Sequence, residues 1–168
     1  MQTKSAVLVA ETSKENAADT PLIQLLQKQV ANAFVLYSNY KHYHWQISGP
    51  LFRDLHLLFD EFAETVLGTL DEFAERIRMI GQDPIFSPKH AMELASVEVS
   101  EAGTVREMIQ EADNNLLVVI RDMRRGARLA DEVDDPGTVD LFSRVVQIHE
   151  KHEWWLRDIL RTGDGLCT

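Results

Sequence analysis

Histidines and carboxylates recur at helical spacing between residues 41 and 81. His56 and Asp60 are four residues apart, and so are Asp71 and Glu75. Side chains at this spacing lie on one face of an α-helix. Imidazole nitrogens and carboxylate oxygens together are a donor set that metal ions accept. The pattern therefore predicts a metal site on a helix.

The distance between the two pairs decides how such a site is built. Eleven residues separate Asp60 from Asp71, close to three helical turns, so both pairs lie within about 20° of one face. A lone histidine or a single His-Asp pair is more often structural, but the second pair favours metal binding. At 1.5 Å per residue the pairs are about 16 Å apart along the axis and cannot hold one ion together. We therefore expect two copies of this helix to pack antiparallel about a two-fold axis and share metal sites.

Four long amphipathic segments and one connector position these residues. Thr20 before Pro21 marks a helix start, and Thr104 with Glu107 forms a capping-box pattern. The connector between the second and third helices is long and contains a short helical segment after Ser87-Pro88. The sequence thus predicts an all-α fold, a four-helix bundle of ferritin-like connectivity with a short helix in the long middle crossover. The predicted long helices span about residues 21–47, 51–80, 104–130 and 136–161.

Composition limits the class of protein. A chain of 168 residues suits one domain, and its net charge of −10 disfavours DNA and favours a cation as substrate. The only cysteine, Cys167, excludes an intrachain disulfide framework, which is typical of a reducing compartment. We see no membrane-spanning run and no signal peptide, so we expect a cytoplasmic protein.

The chain ends differ from the central domain. Residues 1–19 lack a helical apolar stripe and predict a flexible N-terminal tail with a short strand-like patch, AVLVA. This tail is net acidic, unlike the basic arm of a nucleic-acid binder. We assign residues 20–162 to the ferritin-like domain and residues 163–168 to a C-terminal tail.

Three stretches carry a resemblance to a known family. They are HYHW at 42–45, GPLFRDLHLLFDEFAE at 49–64 and LDEFAERIRMIG at 70–81. The chain resembles the Dps family, the ferritin-like "DNA-binding proteins from starved cells", over roughly residues 20–162. The resemblance implies a homo-dodecamer that oxidises Fe(II), usually with hydrogen peroxide in preference to oxygen, and stores ferric mineral against oxidative stress. It also implies a ferroxidase centre with one set of ligands from each of two subunits: His44, His56 and Asp60 from one, Asp71 and Glu75 from its mate.

Two further features follow from the resemblance. Trp45 occupies the place of the family's tryptophan near the centre, where it intercepts stray oxidising equivalents or simply packs at the interface. Asp134, Asp135 and Asp140 surround the turn into the last helix, where related proteins line three-fold pores that admit cations. A solvated acidic turn with an N-cap is the alternative for these three residues.

Other histidines and the arginines leave alternatives open. His149 and His152, three apart on the last helix, could bind a further metal such as zinc, or be structural. Zinc would also compete with iron for the ferroxidase ligands. Because both tails lack strong positive charge, we expect weak or absent DNA binding. We interpret the arginine patch on the third helix first as ion pairing, and retain two alternative functions: a nucleoid-binding protein with secondary iron chemistry, and an oxygen-using ferritin. The patch consists of Arg121, Arg124, Arg125 and Arg128.

Overall fold

The structure, a computed structural model, describes residues 20–85 and 87–161. Over these ranges the chain forms helices and no strand, which confirms the all-α prediction. The predicted tails, including the AVLVA patch, lie outside the described residues, so the proposed domain boundaries stay predictions. The helices are α1 (Pro21–Gln46), α2 (Phe52–Met79), α3 (Pro88–Leu94), α4 (Val105–Glu132) and α5 (Pro136–Leu160).

Most helix starts are fixed by their N-cap side chains. Thr20, Ser87 and Asp135 each accept a hydrogen bond from a backbone N–H in the first turn, and each is followed by proline. Thr104 and Glu107 form the full capping box, in which each side chain accepts from the other residue's backbone N–H. These bonds satisfy N–H groups that have no partner within the helix. The predicted starts of α1, α3, α4 and α5 are thereby confirmed.

The four long helices form the predicted bundle. α1 packs along α2, and α4 packs along α5, while α1 also contacts α4 and α2 contacts α5. The short α3 lies in the crossover between α2 and α4 and packs against α1. Among the residues that the structure describes, six aromatic side chains are fully buried in the core: Tyr40, Tyr43, Phe59, Phe62, Phe73 and Phe142.

Buried side-chain amides hold the crossover in place. The Asn39 amide donates to the Glu98 carbonyl over 2.7 Å and accepts from the Ser100 N–H over 3.0 Å. From α4, Asn115 makes a similar pair of bonds with the backbone of Glu98. Backbone groups that would otherwise be buried without partners are thus satisfied. The crossover is tied to α1 and α4, and one face of α2 stays exposed.

Two aromatic residues on the long helices lie at the surface. Phe52 is 46% exposed and Trp154 is 50% exposed. Phe52 is the first residue of α2, and its ring stacks on His56 at a centroid distance of 5.0 Å. The Trp154 indole N–H instead donates to Asp158 one turn further along α5. Periodicity places a residue on a face, but does not say whether the neighbouring helix extends far enough to cover it.

Gly126 permits the close approach of α4 to α5. A Cβ at this position would clash with the ring of the fully buried Phe142. We predict that Gly126→Ala lowers the free energy of unfolding by about 2 kcal/mol, because overpacking outweighs the gain of about 1 kcal/mol in helix propensity. Urea unfolding of the variant measures this change.

A double-mutant cycle with Phe142→Leu tests the cause. The smaller side chain makes room for the added methyl group, so the double variant should be more stable than the sum of the single effects predicts. Additive effects would mean that the ring is not the obstacle.

Candidate metal centre

His44 near the end of α1 and His56 near the start of α2 fix each other's orientation. The Nδ1 of His44 lies 2.8 Å from the carbonyl oxygen of His56, and the Nδ1 of His56 lies 2.8 Å from the carbonyl oxygen of His44. The two rings stack at a centroid distance of 3.7 Å. The His44 carbonyl is among the last in α1, where no intrahelical donor is available. The reciprocal bonds therefore satisfy the helix end and position both imidazoles.

These contacts determine the tautomer of both rings. A carbonyl oxygen only accepts hydrogen bonds, so each Nδ1 carries a proton and donates it. In a neutral imidazole the lone pair is then on Nε2, which is free to bind a metal. Fixing the ring through its other nitrogen is the usual way in which proteins orient a ligating histidine. His44 and His56 are therefore prepared as a pair of nitrogen ligands.

Asp60 adds a carboxylate one turn beyond His56. Its Oδ1 lies 2.6 Å from the Lys41 ammonium and 3.8 Å from the Nδ1 of His44. The bond from Lys41, with a smaller contribution from the two histidines, lowers the pKa of Asp60, which keeps this oxygen ligand ionised. Sequence reasoning missed Lys41, although it lies three residues before His44 and so on a neighbouring part of α1.

Asp71 and Glu75 lie further along α2 with exposed side chains. Their helical position agrees with the predicted separation of about 16 Å from the first pair. Within one protomer, the described part of the chain has no group of three His, Cys, Asp or Glu side chains arranged to hold a metal ion. The structure places His44, His56 and Asp60 near one another without completing a three-ligand site. It does not bring Asp71 and Glu75 to them, and the site shared between subunits stays a prediction.

The α2 face between the two pairs is uncovered. Glu64, Leu67 and Gly68 are exposed. Space around Gly68 is open, since a Cβ built there would meet no atom within 4 Å. Ala63, on the same stretch of α2, is instead buried in the protomer's own core.

The Lys41 ammonium is paired with the Asp60 carboxylate oxygen that would bind a metal ion. If the site oxidises Fe(II), as the resemblance implies, Lys41→Gln should lower the Fe(II) concentration for half-maximal oxidation several-fold, because the ammonium no longer competes for the carboxylate. Stopped-flow oxidation over a range of Fe(II) concentrations measures this. Lys89→Gln, which removes an exposed lysine from α3, is the matched control for net charge. A higher Fe(II) concentration for half-maximal oxidation in the Lys41 variant would show that the lysine positions Asp60 rather than competing with the metal ion for it.

Trp45 follows His44 at the end of α1 and is 68% exposed. An exposed indole at this place is compatible with both expected roles, radical interception and interface packing. Its role stays a prediction.

The acidic turn between α4 and α5 is partly engaged in the protomer. Asp135 caps α5, accepts from Thr138 and pairs with Arg76 over 2.5 Å. Partial burial alone would raise the pKa of Asp135, but the hydrogen bonds from Thr138 and the Arg76 guanidinium together outweigh it and lower the pKa. Asp134 and Asp140 are exposed. The pore assignment stays a prediction, with Asp134 and Asp140 freer to bind a cation than Asp135.

His149 and His152 lie in the bundle core rather than at its surface. Both are buried, and each Nδ1 lacks a hydrogen-bond partner in the part of the chain that the structure describes. The His152 ring stacks on Phe62 at 3.8 Å, and the two imidazoles are 6.3 Å apart. Burial lowers their pKa values to about 4 for His149 and about 3 for His152. Both rings are neutral at pH 7, and the additional metal site stays a prediction.

The arginine patch on α4 is mostly exposed and only partly ion-paired. Arg124 pairs with Glu150 over 2.6 Å. Among the described residues, Arg121, Arg125 and Arg128 form no ion pair. Ion pairing therefore accounts for one arginine of the four.

None of the helices in residues 20–85 and 87–161 has the length and hydropathy needed to cross a bilayer.

The bundle, the long crossover and the His-carboxylate set define a ferritin-like protein. The sequence profile of the ferritin-like domain matches residues 23–166. Solved structures share the fold at a sequence identity that also implies common descent. The Dps structure from Thermosynechococcus elongatus superimposes with a TM-score of 0.85 at 44% identity, covering 88% of this chain and 94% of that one.

Two further proteins show which family of ferritin-like proteins the chain is similar to. The "DNA protection during starvation protein" of Brevibacillus brevis is 34% identical and covers 81% of this chain and 92% of its own length. The Dps structure from Vibrio cholerae O1, described as a member of the ferritin-like diiron-carboxylate proteins, has a TM-score of 0.80 at 30% identity and covers 83% of this chain and 89% of that one. The chain belongs to the Dps family.

Proposed function

We propose that this protein is a ferroxidase and iron-storage mini-ferritin, which oxidises Fe(II) at centres shared between two subunits. The observation that carries the proposal is the orientation of His44 and His56, whose Nδ1 atoms are both engaged by backbone carbonyls. Their free Nε2 atoms and the ionised Asp60 form half of a metal site. The solved relative described as a diiron-carboxylate protein supports iron as the metal.

The second half of the site follows from symmetry. His56 and Glu75 are placed equally about a midpoint between Thr65 and Val66, and so are Asp60 and Asp71. A two-fold axis through that midpoint places both carboxylates of one helix opposite the first pair of its antiparallel copy. The exposed Leu67 and Gly68 lie near this axis and can be buried there. One dimer would then contain two sites, and we propose a homo-dodecamer built from such dimers.

The ligands suit the reaction. Carboxylate oxygens bind iron in both oxidation states, imidazoles suit Fe(II), and few ligands leave positions open for hydrogen peroxide. Two Fe(II) ions at one site supply the two electrons that one peroxide accepts, so no hydroxyl radical is released. The net charge of −10 attracts the cation, and zinc would compete for the same donors. The protein would act in the cytoplasm and protect it from peroxide.

The test is anaerobic loading of the apo-protein with Fe(II), followed by hydrogen peroxide or oxygen. We expect faster ferric absorbance with peroxide, loss of both rates in His56→Ala/Asp60→Ala, and a native mass of twelve subunits. Faster oxidation by oxygen with a twenty-four-subunit mass would favour the oxygen-using ferritin. Oxidation no faster than in buffer would overturn the proposal.

DNA protection is the second candidate, and two observations favour it. Three arginines of the α4 patch are exposed without an ion pair within the described ranges, and a relative is named for DNA protection. Net charge opposes binding, so we expect little retardation of plasmid at physiological salt. Clear retardation that Arg121→Gln/Arg125→Gln abolishes would instead establish this function.

A further inference from the structure

Tyr43 on α1 forms a short hydrogen bond with a carboxylate. Its hydroxyl donates to Oε1 of Glu111 on α4 over 2.5 Å. The tyrosine is fully buried, whereas Glu111 is half-buried and lines a surface cavity of about 390 Å³. A phenol that loses an electron becomes a strong acid, so it needs a base in direct contact. Glu111 is such a base, and it is open to solvent.

Tyr40, one turn earlier, provides an internal comparison. The two rings are 6.3 Å apart, and both are fully buried. Within the described chain the Tyr40 hydroxyl has no hydrogen-bond partner. Oxidation of Tyr40 would leave an uncompensated positive charge in the apolar core, which is costly. Of the two tyrosines, only Tyr43 can lose an electron and its proton together.

Tyr43 also lies next to the candidate metal centre. It precedes His44 in α1, and its ring is 5.1 Å from that of Phe59, which precedes Asp60 in α2. Trp45 is equally near in sequence, but its exposed indole would allow an oxidised state to react with solutes. The buried phenol keeps the oxidised state inside the protein.

We propose that Tyr43 and Glu111 form a redox-active pair that supplies one electron when a site holds a single Fe(II). The inference rests on the proposed ferroxidase function. One Fe(II) reduces hydrogen peroxide to hydroxide and a hydroxyl radical. Tyr43 gives one electron to that radical, which becomes hydroxide, while the phenol proton moves to the Glu111 carboxylate.

A second Fe(II) then restores the pair. It reduces the tyrosyl radical, and the proton returns from Glu111 to the phenol oxygen. In total two Fe(II) become two Fe(III), and one hydrogen peroxide becomes two hydroxide ions. The pair therefore gives a half-filled site the same overall stoichiometry as a full one.

Rapid-freeze-quench EPR tests the proposal. The full chain is loaded anaerobically with less than one Fe(II) per site, mixed with hydrogen peroxide and frozen, and Fe(II) oxidation is followed in parallel. We expect a tyrosyl signal that narrows when the protein contains ring-deuterated tyrosine. Tyr43→Phe should lose it and release several-fold more hydroxyl radical to a spin trap, whereas the matched control Tyr40→Phe should keep it.

The base is tested separately. Glu111→Gln preserves a hydrogen-bond acceptor but not a proton acceptor, so the signal should be lost, and Glu111→Asp should restore part of it. Circular dichroism and native mass verify that each variant is folded. An undiminished signal in Tyr43→Phe that Trp45→Phe removes would overturn the assignment, as would iron oxidation by the wild type without any tyrosyl signal. Absence of iron oxidation in the wild type would instead overturn the proposed function together with this inference.

Discussion

Mixing two inactive variants is expected to restore part of the iron oxidation. His56→Ala/Asp60→Ala removes one half of each proposed site, and Asp71→Ala/Glu75→Ala removes the other half. In a mixed dimer all four lesions meet in one site, and the second site is intact. Random reassembly makes half of the dimers mixed, so about a quarter of the wild-type activity should return. Initial rates of Fe(II) oxidation after dissociation and reassembly measure this recovery.

A matched mixture tests the interpretation. His56→Ala/Asp60→Ala subunits combined with His44→Ala subunits have both lesions in the same half of the site, so every site stays defective. Native mass spectrometry confirms that mixed assemblies form in both experiments. Equal recovery in the two mixtures, or none in the first despite mixed assembly, would exclude a site shared between subunits.

Helix boundaries could be predicted from sequence because their causes are local. The Thr20, Ser87 and Thr104 caps act on N–H groups within one turn, so the residues that fix each start are adjacent in the chain. The spacing of the ligands was equally informative, because helical geometry converts sequence distance into position on a face. His56 and Asp60 therefore needed no tertiary information to be found.

The spacing of residues in the sequence did not predict the contacts between helices. The reciprocal bonds of His44 and His56, and the Lys41–Asp60 pair, join residues on α1 and α2 whose relative rotation depends on how both helices pack. The exposure of Phe52 has the same origin, since it depends on where the neighbouring helices end. The site's other half depends on a second copy of the chain, which periodicity and symmetry suggest.

Acid is expected to destabilise the bundle through its two buried histidines. Burial, the stronger cause, lowers the pKa of His149 to about 4 and that of His152 to about 3, and the Lys151 ammonium and His149 add to the effect on His152. In the unfolded chain both pKa values return to about 6.5. Between these limits the unfolded state binds protons that the folded state excludes. The contribution of the two histidines to stability is therefore fully present above pH 6.5 and is lost as the pH falls toward their folded-state pKa values. At pH 5 the loss is about 2 kcal/mol for each histidine.

Replacing both histidines should remove this dependence. His149→Gln/His152→Gln keeps polar side chains that do not titrate, so its free energy of unfolding should change by about 4 kcal/mol less than that of the wild type between pH 7.5 and pH 5. Urea unfolding at fixed protein concentration measures both, and His90→Gln, at an exposed position in α3, is the control. The comparison is between slopes with pH, so a uniform loss of stability in the double variant does not affect it. If the free energy of unfolding of the double variant depended on pH as steeply as that of the wild type, the two imidazoles would have to accept protons in the folded bundle. That result would contradict their enclosure by α2 and the neighbouring helices.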